Sequence, residues 1–299
     1  MTETPHDPDG GRSYRHDLSR ELTAVGIPSR RRERILAEFA DHLACDPQAE
    51  LGEPQALARQ FADELGTAYA RRAVGQSFAA LALAGLLFGV AFAIGPGPAF
   101  GPIPAAVLWP GRVANLLALL APQFAFVAGV LAGLRALRRR RARVIVAAEA
   151  GVLLRRTATA LAAAIVSMAS LGVMAIELRS YVAGSWVTLA EVGSVVGLLA
   201  LAAALPSLLA ARRLRPLTPG PAGDLSDDFG RLMPPFLRGH PWRFALIVAA
   251  GVFIAITAAG AVASDGYDGA IRGLGDALLC LLGFATLGRY LGLWTPARR

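Results

Sequence analysis

The chain contains no lysine, so all 30 of its basic residues are arginine. Without lysine it cannot form the phosphate-binding loop of P-loop nucleotide hydrolases, which requires that residue. The His-Glu-x-x-His zinc motif and the Gly-x-Ser-x-Gly nucleophile turn are also missing from the sequence. These absences remove the main sequence signatures of an enzyme, and we predict no catalytic residue and no enzymatic activity.

Cysteine and histidine are scarce, with two and four residues respectively. Cys45 falls in a polar segment and Cys280 in an apolar one, so we predict no disulfide between them. His42 and Cys45 are three residues apart, but zinc requires about four ligands and no second pair exists. All four histidines lie outside the apolar segments, which argues against haem held within a membrane. We therefore predict no metal and no cofactor.

Apolar residues, in contrast, are abundant: they make up 55% of the chain, and the mean hydropathy is +0.48. They gather into blocks of about 20 residues, the length of helix that crosses roughly 30 Å of hydrocarbon. We predict six membrane-spanning helices, at residues 76–94, 113–134, 157–176, 187–210, 244–263 and 271–293. The predicted fold class is all-α, with a six-helix transmembrane bundle over residues 73–299 behind a small helical domain.

The arginines are distributed unevenly around these spans. Twenty-seven lie in four segments that alternate with three segments holding one arginine each. An arginine at the centre of a span costs about 2.5–3.5 kcal/mol, and arginine-rich loops remain on the cytoplasmic side. We therefore predict a multi-pass protein of the bacterial cytoplasmic membrane with both termini cytoplasmic. This topology explains the net charge of +8 without any direct binding of nucleic acid.

The densest basic segment follows the second span and contains six arginines within nine residues. Its members are Arg135, Arg138, Arg139, Arg140, Arg141 and Arg143. The segment fixes topology and can bind anionic lipid headgroups; it can also serve as a docking surface for the acidic N-terminal domain. The apolar segment 144–154 that follows is too short to span, and it either lies at the interface or extends the third span.

The first 75 residues are polar, with 13 acidic and 10 basic residues. We predict a disordered tail at residues 1–14 and a cytosolic domain of three amphipathic helices at 15–72, with a break or hinge at Gly66-Thr67. The apolar stripes of these helices are Leu18, Leu22 and Val25, then Ile35, Phe39 and Leu43, then Leu57, Phe61 and Leu65. So small a bundle has a thin core. We expect it to lean on a partner, on the membrane-facing loops or on a second copy of the chain.

Short motifs in this domain resemble a known family. They are Ile27-Pro28, the Glu38-x-x-x-His42 helix, and Leu51-Gly52-Glu53-Pro54. Over residues 18–67 the chain resembles the HAAS domain, a small helical signalling domain of bacterial membrane proteins associated with PadR-type transcriptional regulators. Only residues 43–50 separate the histidine from the Leu-Gly-x-Pro turn, where the family usually has a longer acidic segment. The resemblance implies a regulatory role and a PadR-type partner, and it carries over no catalytic residue.

Five acidic residues gather near the predicted outer face: Glu177, Glu191, Asp265, Asp268 and Asp276. Carboxylates within spans are candidates for function, and these could sense a cation, a proton or a peptide from outside. The plainer interpretation is that they reach the interface or pair with Arg179 and Arg272.

Two functions from different classes follow from the sequence. The first is a membrane regulatory or sensory protein that signals to a cytosolic PadR-type regulator through its N-terminal domain. The alternative is a permease-like transport component that works with a separate ATPase subunit. A transport component needs a polar path through the bundle, and the spans hold little polarity besides Gln123, Thr188 and a few serines.

Overall fold

The computed structural model describes residues 8–46, 51–94, 108–223, 236, 240–262 and 266–288. Over these residues the chain forms eight helices and no strand. The helices are α1 (Pro8–Ala24), α2 (Ser29–Cys45), α3 (Pro54–Ile94), α4 (Trp109–Arg138), α5 (Ala147–Glu177), α6 (Gly184–Arg213), α7 (Pro241–Val262) and α8 (Gly266–Gly288). The predicted all-α class is confirmed.

The helices α1, α2 and the beginning of α3 form a small bundle with its own apolar core. Its buried residues are Leu18, Leu22, Ile27, Ile35 and Ala58. Every residue of the three predicted stripes except Leu43 belongs to this core or packs against it. The rings of Phe39 and Phe61 meet edge to face with centroids 6.0 Å apart, a favourable aromatic geometry.

The first helix begins earlier than the sequence predicted. Pro8 opens α1, so residues 8–14 are helical rather than part of a disordered tail, while residues 1–7 lie outside the described chain. Proline suits a first helical turn because its missing N–H would have no partner there. Tyr14 packs against the small core, and its hydroxyl donates to the Leu51 carbonyl at 3.3 Å.

Helix α3 is 41 residues long and joins the small bundle to the first apolar segment without interruption. At 1.5 Å per residue it extends over roughly 60 Å. The break or hinge predicted at Gly66-Thr67 is wrong, because the helix continues through both residues. The predicted boundary between residues 72 and 73 therefore falls inside one continuous helix.

Four helices, α3 to α6, are long and apolar enough to cross a membrane. More than half of the residues in their main buried cluster are alanines, and such small side chains let helix backbones approach closely. Large apolar side chains point outwards instead, including Leu86 (64% exposed), Phe126 (73%) and Leu199 (66%). A small-residue interior with a large-residue exterior is the arrangement expected of helices surrounded by lipid.

The ambiguous segment 144–154 and the last two predicted spans are largely helical. Residues 147–154 belong to α5, so most of the ambiguous segment extends the third apolar helix. The helices α7 and α8 have 22 and 23 residues and pack mainly on each other. Near the start of α7 the Trp242 ring lies 5.9 Å from that of Phe284 on α8.

Candidate functional site

The arginine-rich ends of the apolar helices meet the middle of α3 in one polar cluster. Three parts of the chain contribute: α3 residues 63–71, residues 135–149 at the α4–α5 connection, and residues 214–223 after α6. We call this cluster the junction. It lies directly between the small helical bundle and the four long apolar helices, so any mechanical communication along α3 passes through it.

Asp63 fastens the segment after α6 to the side of α3. Its side chain is buried, with 8% exposure. Its carboxylate accepts hydrogen bonds from the backbone N–H groups of Leu217 and Thr218, the latter at 2.9 Å, and from the Thr218 hydroxyl. The Thr218 carbonyl in turn accepts from the N–H of Ala147, the first residue of α5. One carboxylate thus ties together α3, the segment after α6 and the start of α5.

Two ion pairs of different burial hold the α4–α5 connection. The Arg139 guanidinium donates to the Glu149 carboxylate at 2.5 Å, and the Glu149 side chain is only 3% exposed. Glu149 lies in the first turn of α5, where the helix dipole also favours a negative charge. The Arg143–Glu64 pair, at 3.0 Å, is far more open, because the Arg143 side chain is 82% exposed. Removal of one partner therefore costs more stability in the first pair than in the second, because it leaves a charge in a less exposed place.

Further hydrogen bonds anchor this connection to α3. The Thr67 hydroxyl accepts from the Ile145 backbone N–H at 3.0 Å, and Thr67 is buried. Arg71 donates to the carbonyls of Arg139 and Ala142. Because the turn at residues 139–146 has few backbone partners of its own, these side chains from α3 supply them.

The members of the predicted arginine cluster divide by environment. Arg135 is buried and donates to the Gly223 carbonyl at 2.6 Å. Arg139 and Arg143 form the two ion pairs described above, whereas Arg138, Arg140 and Arg141 are exposed. Arg156, which lies outside the predicted cluster, is fully buried and donates to the Leu131 carbonyl. Arg135 and Arg139 are thus partly or fully covered by the rest of the chain, and the other four members lie on its surface.

The opposite end of the four-helix group holds two of the predicted sensing residues. Arg179 donates to Glu191 at 2.8 Å, and Glu177 is half-buried at the end of α5. At the same end, the Trp186 indole donates to the Ala91 carbonyl at 2.8 Å. Asp265 lies outside the described residues, and so do the side chains of Asp268 and Asp276 on α8. Of the five residues, the structure therefore describes the side chains of Glu177 and Glu191 alone, and a shared sensing site stays a prediction.

The residues that carry the family resemblance occupy turns and an exposed helix face. Pro28 precedes α2, and Glu38 pairs with Arg34 at 3.2 Å on the surface. His42 is exposed near the end of α2. Gly52 has a φ of +76°, a conformation that favours glycine, two residues before Pro54 opens α3. Pro28, Gly52 and Pro54 thus lie at turns or helix starts, whereas Glu38 and His42 lie on the surface of α2.

Gly66 is required for the close approach of the segment after α6. A Cβ at this position would lie 2.6 Å from the Pro216 nitrogen and 2.8 Å from the Leu214 carbonyl oxygen. We expect Gly66→Ala to push this segment away from α3 and to lower the thermal unfolding temperature of the detergent-solubilised protein. Gly75→Ala is the control, because it lies on the same helix with no atom within 4 Å of the added Cβ. Equal unfolding temperatures for the two variants would show that the approach at Gly66 is not a tight one.

The residues that organise the junction were not predicted from the sequence. Asp63, Thr67 and Glu149 each look like an ordinary polar position on a helix when viewed locally. One signal was present for Glu149, a lone carboxylate within an otherwise apolar segment close to many arginines. Asp63 gave no such signal, because its partners lie more than 150 residues away in the sequence.

The chain matches no protein-family model, no curated protein and no solved structure.

Proposed function

We propose that the chain is a membrane-embedded regulatory protein whose small N-terminal bundle signals to a cytosolic transcription regulator. The observation that carries this proposal is the unbroken helix α3, which belongs to both the small bundle and the apolar helices. A movement of the apolar helices would be transmitted to the small bundle through α3, because the helix contains no hinge that would absorb the movement. The resemblance to the HAAS domain supports a PadR-type regulator as the partner.

The proposed topology has six spans with the junction on the cytoplasmic side. It combines the four long apolar helices with α7 and α8, each of which is long enough to cross roughly 30 Å. The arginine-rich ends of α4, α5 and α6 meet the polar half of α3 at one end of the group. This common end agrees with the tendency of arginine to remain in the cytoplasm.

We expect Tyr181→Cys to react with a membrane-impermeant maleimide on intact cells and Arg140→Cys to react only after permeabilisation. Both positions are exposed, and they lie at opposite ends of the four-helix group. The experiment requires a background in which Cys45 and Cys280 are replaced by serine. If only Arg140→Cys were labelled on intact cells, the protein would have the opposite orientation in the membrane.

The partner is tested by affinity capture from native membranes with the tagged full-length chain. We expect a DNA-binding regulator to be retained by the full-length protein and lost when residues 1–46 are deleted, because this deletion leaves α3 and the junction in place. Phe39→Asp, which buries a charge in the small core, should have the same effect. A Glu33→Gln variant, altered only on the exposed face of α2 and outside the family motif, is the control. Retention of the regulator by the deleted chain would contradict the proposal.

The alternative function is a transport component. Capture of a nucleotide-hydrolysing subunit by the full-length chain and by the chain without residues 1–46 alike would favour it. The described spans give it little support. Gln123 donates to the Leu119 carbonyl of its own helix, and Ser167 donates to the Ala163 carbonyl in the same way. Polar side chains that bond within their own helix do not form a path for a polar substrate.

A further inference from the structure

A cleft of about 450 Å³ separates the small bundle from the end of α6. Its lining includes Gly26 and Pro28 from the turn between α1 and α2, Tyr69 from α3, and Leu209 and Arg213 from α6. The volume lies within the range of small-molecule sites. The cleft is therefore shared between the signalling domain and a candidate membrane span.

The walls of the cleft are apolar, with a single positive charge at the end. Pro206, Leu209 and Leu214 line it together with the ring of Tyr69. Arg213 is exposed and has no hydrogen bond or ion pair to any residue that the structure describes. An apolar slot that ends at an exposed guanidinium is complementary to a molecule with a hydrocarbon part and an anionic head.

The cleft is continuous with the outer apolar surface of α6. Leu205 and Leu209 are 37% and 53% exposed along the last turns of that helix, and the helix ends at Arg213. A hydrocarbon chain lying along this surface would run directly into the cleft. Its head would then lie beside Arg213, at the level where arginine normally contacts headgroups.

We propose that this cleft binds an anionic phospholipid, with its phosphate on Arg213 and the upper part of an acyl chain against Leu209 and Tyr69. Because Gly26 and Pro28 form part of the same cleft, the bound lipid would contact the signalling domain as well as α6. The lipid thereby becomes a direct link between membrane composition and the position of the small bundle. This inference rests on the membrane location given under the proposed function, and it does not depend on the identity of the regulator.

The test uses the full chain with a photo-crosslinking phenylalanine analogue in place of Tyr69, reconstituted into vesicles of phosphatidylglycerol and phosphatidylcholine in equal amounts. Mass spectrometry then identifies the lipid attached at residue 69. We expect phosphatidylglycerol to exceed phosphatidylcholine by about fivefold, the preference given by one arginine near an anionic headgroup. Arg213→Gln should abolish this preference, and Arg72→Gln, which alters an exposed arginine of α3 that does not line the cleft, should retain it.

A second variant changes the shape of the cleft without changing its charge. Ala210→Trp should fill the cleft and remove most lipid crosslinking, while gel filtration confirms that the variant remains monodisperse. Soluble glycerol phosphate should not compete, which separates a lipid from a free phosphate as the occupant. Equal crosslinking of the two lipids, or equal loss in Arg213→Gln and Arg72→Gln, would overturn the proposal. Such a failure would leave the capture of a regulator by residues 1–46 unaffected, so the two proposals fail separately.

Discussion

Replacement of Glu149 by alanine is expected to lower the free energy of unfolding by about 3 kcal/mol, near the lower end of the range for removing one partner of a buried ion pair. The cost arises because the Arg139 guanidinium would lose its carboxylate while remaining two-thirds buried. Loss of the negative charge from the first turn of α5 adds a smaller cost. The measurement is equilibrium or thermal unfolding of the detergent-solubilised protein, followed by the loss of helical circular dichroism.

The matched control for Glu149 is Glu64, which forms the second ion pair of the same junction. Because Arg143 is 82% exposed, we expect Glu64→Ala to change the free energy of unfolding by about 0–1 kcal/mol. A Glu149→Gln variant keeps the shape of the side chain and one acceptor oxygen. Its loss of unfolding free energy should lie between those of Glu64→Ala and Glu149→Ala. If Glu64→Ala were as destabilising as Glu149→Ala, burial could not be the reason for the difference in strength between the two pairs.

Replacement of Asp63 by alanine is expected to detach the segment after α6 from α3. The substitution leaves three donors without their acceptor, and each buried donor left unsatisfied costs about 1–3 kcal/mol. Leu217 is exposed, and water would recover part of this cost, so we expect a total loss of about 2–3 kcal/mol. Asp63→Asn should be milder, because its amide oxygen still accepts from both backbone N–H groups.

Limited proteolysis gives a direct readout of this detachment. Trypsin cleaves this chain only at arginine, because lysine is absent, and the Arg213–Leu214 bond directly precedes the segment that Asp63 holds, whereas the Arg215–Pro216 bond resists trypsin. Cleavage after Arg213 follows the population of the detached form when detachment and return are fast. We expect faster cleavage there in Asp63→Ala than in the unaltered chain, with Asp63→Asn between them. An unchanged cleavage rate in Asp63→Ala would show that the carboxylate does not hold the segment.

The apolar pattern of the sequence was sufficient to predict the helices but not the contacts between them. The stripes through Leu18, Ile35 and Phe61 identified the small core, because each helix must bury one apolar face. The apolar blocks identified the four long helices for the same kind of reason. Residues 147–154 remained ambiguous, since a segment of that length can lie on a membrane or extend a span.

The role of Gly66 shows why the junction was not predictable. Read locally, a glycine followed by threonine in a helical segment indicates a break, because glycine favours the unfolded chain. In the structure, the absence of a side chain at Gly66 admits the backbone of residues 214–216. This requirement comes from a segment about 150 residues away, so no local pattern reveals it. The same distance hides the role of Asp63.

In the proposed mechanism, the junction holds the small bundle in one position relative to the apolar helices. The most direct measurement is the distance between spin labels at Asp41→Cys on α2 and Arg141→Cys in the α4–α5 connection, by pulsed electron paramagnetic resonance. Both positions are exposed, and Cys45 and Cys280 are first replaced by serine. We predict a single narrow distance distribution for the reconstituted protein and a broad one when Asp63→Ala is added. A broad distribution in the protein with an intact junction would contradict the account.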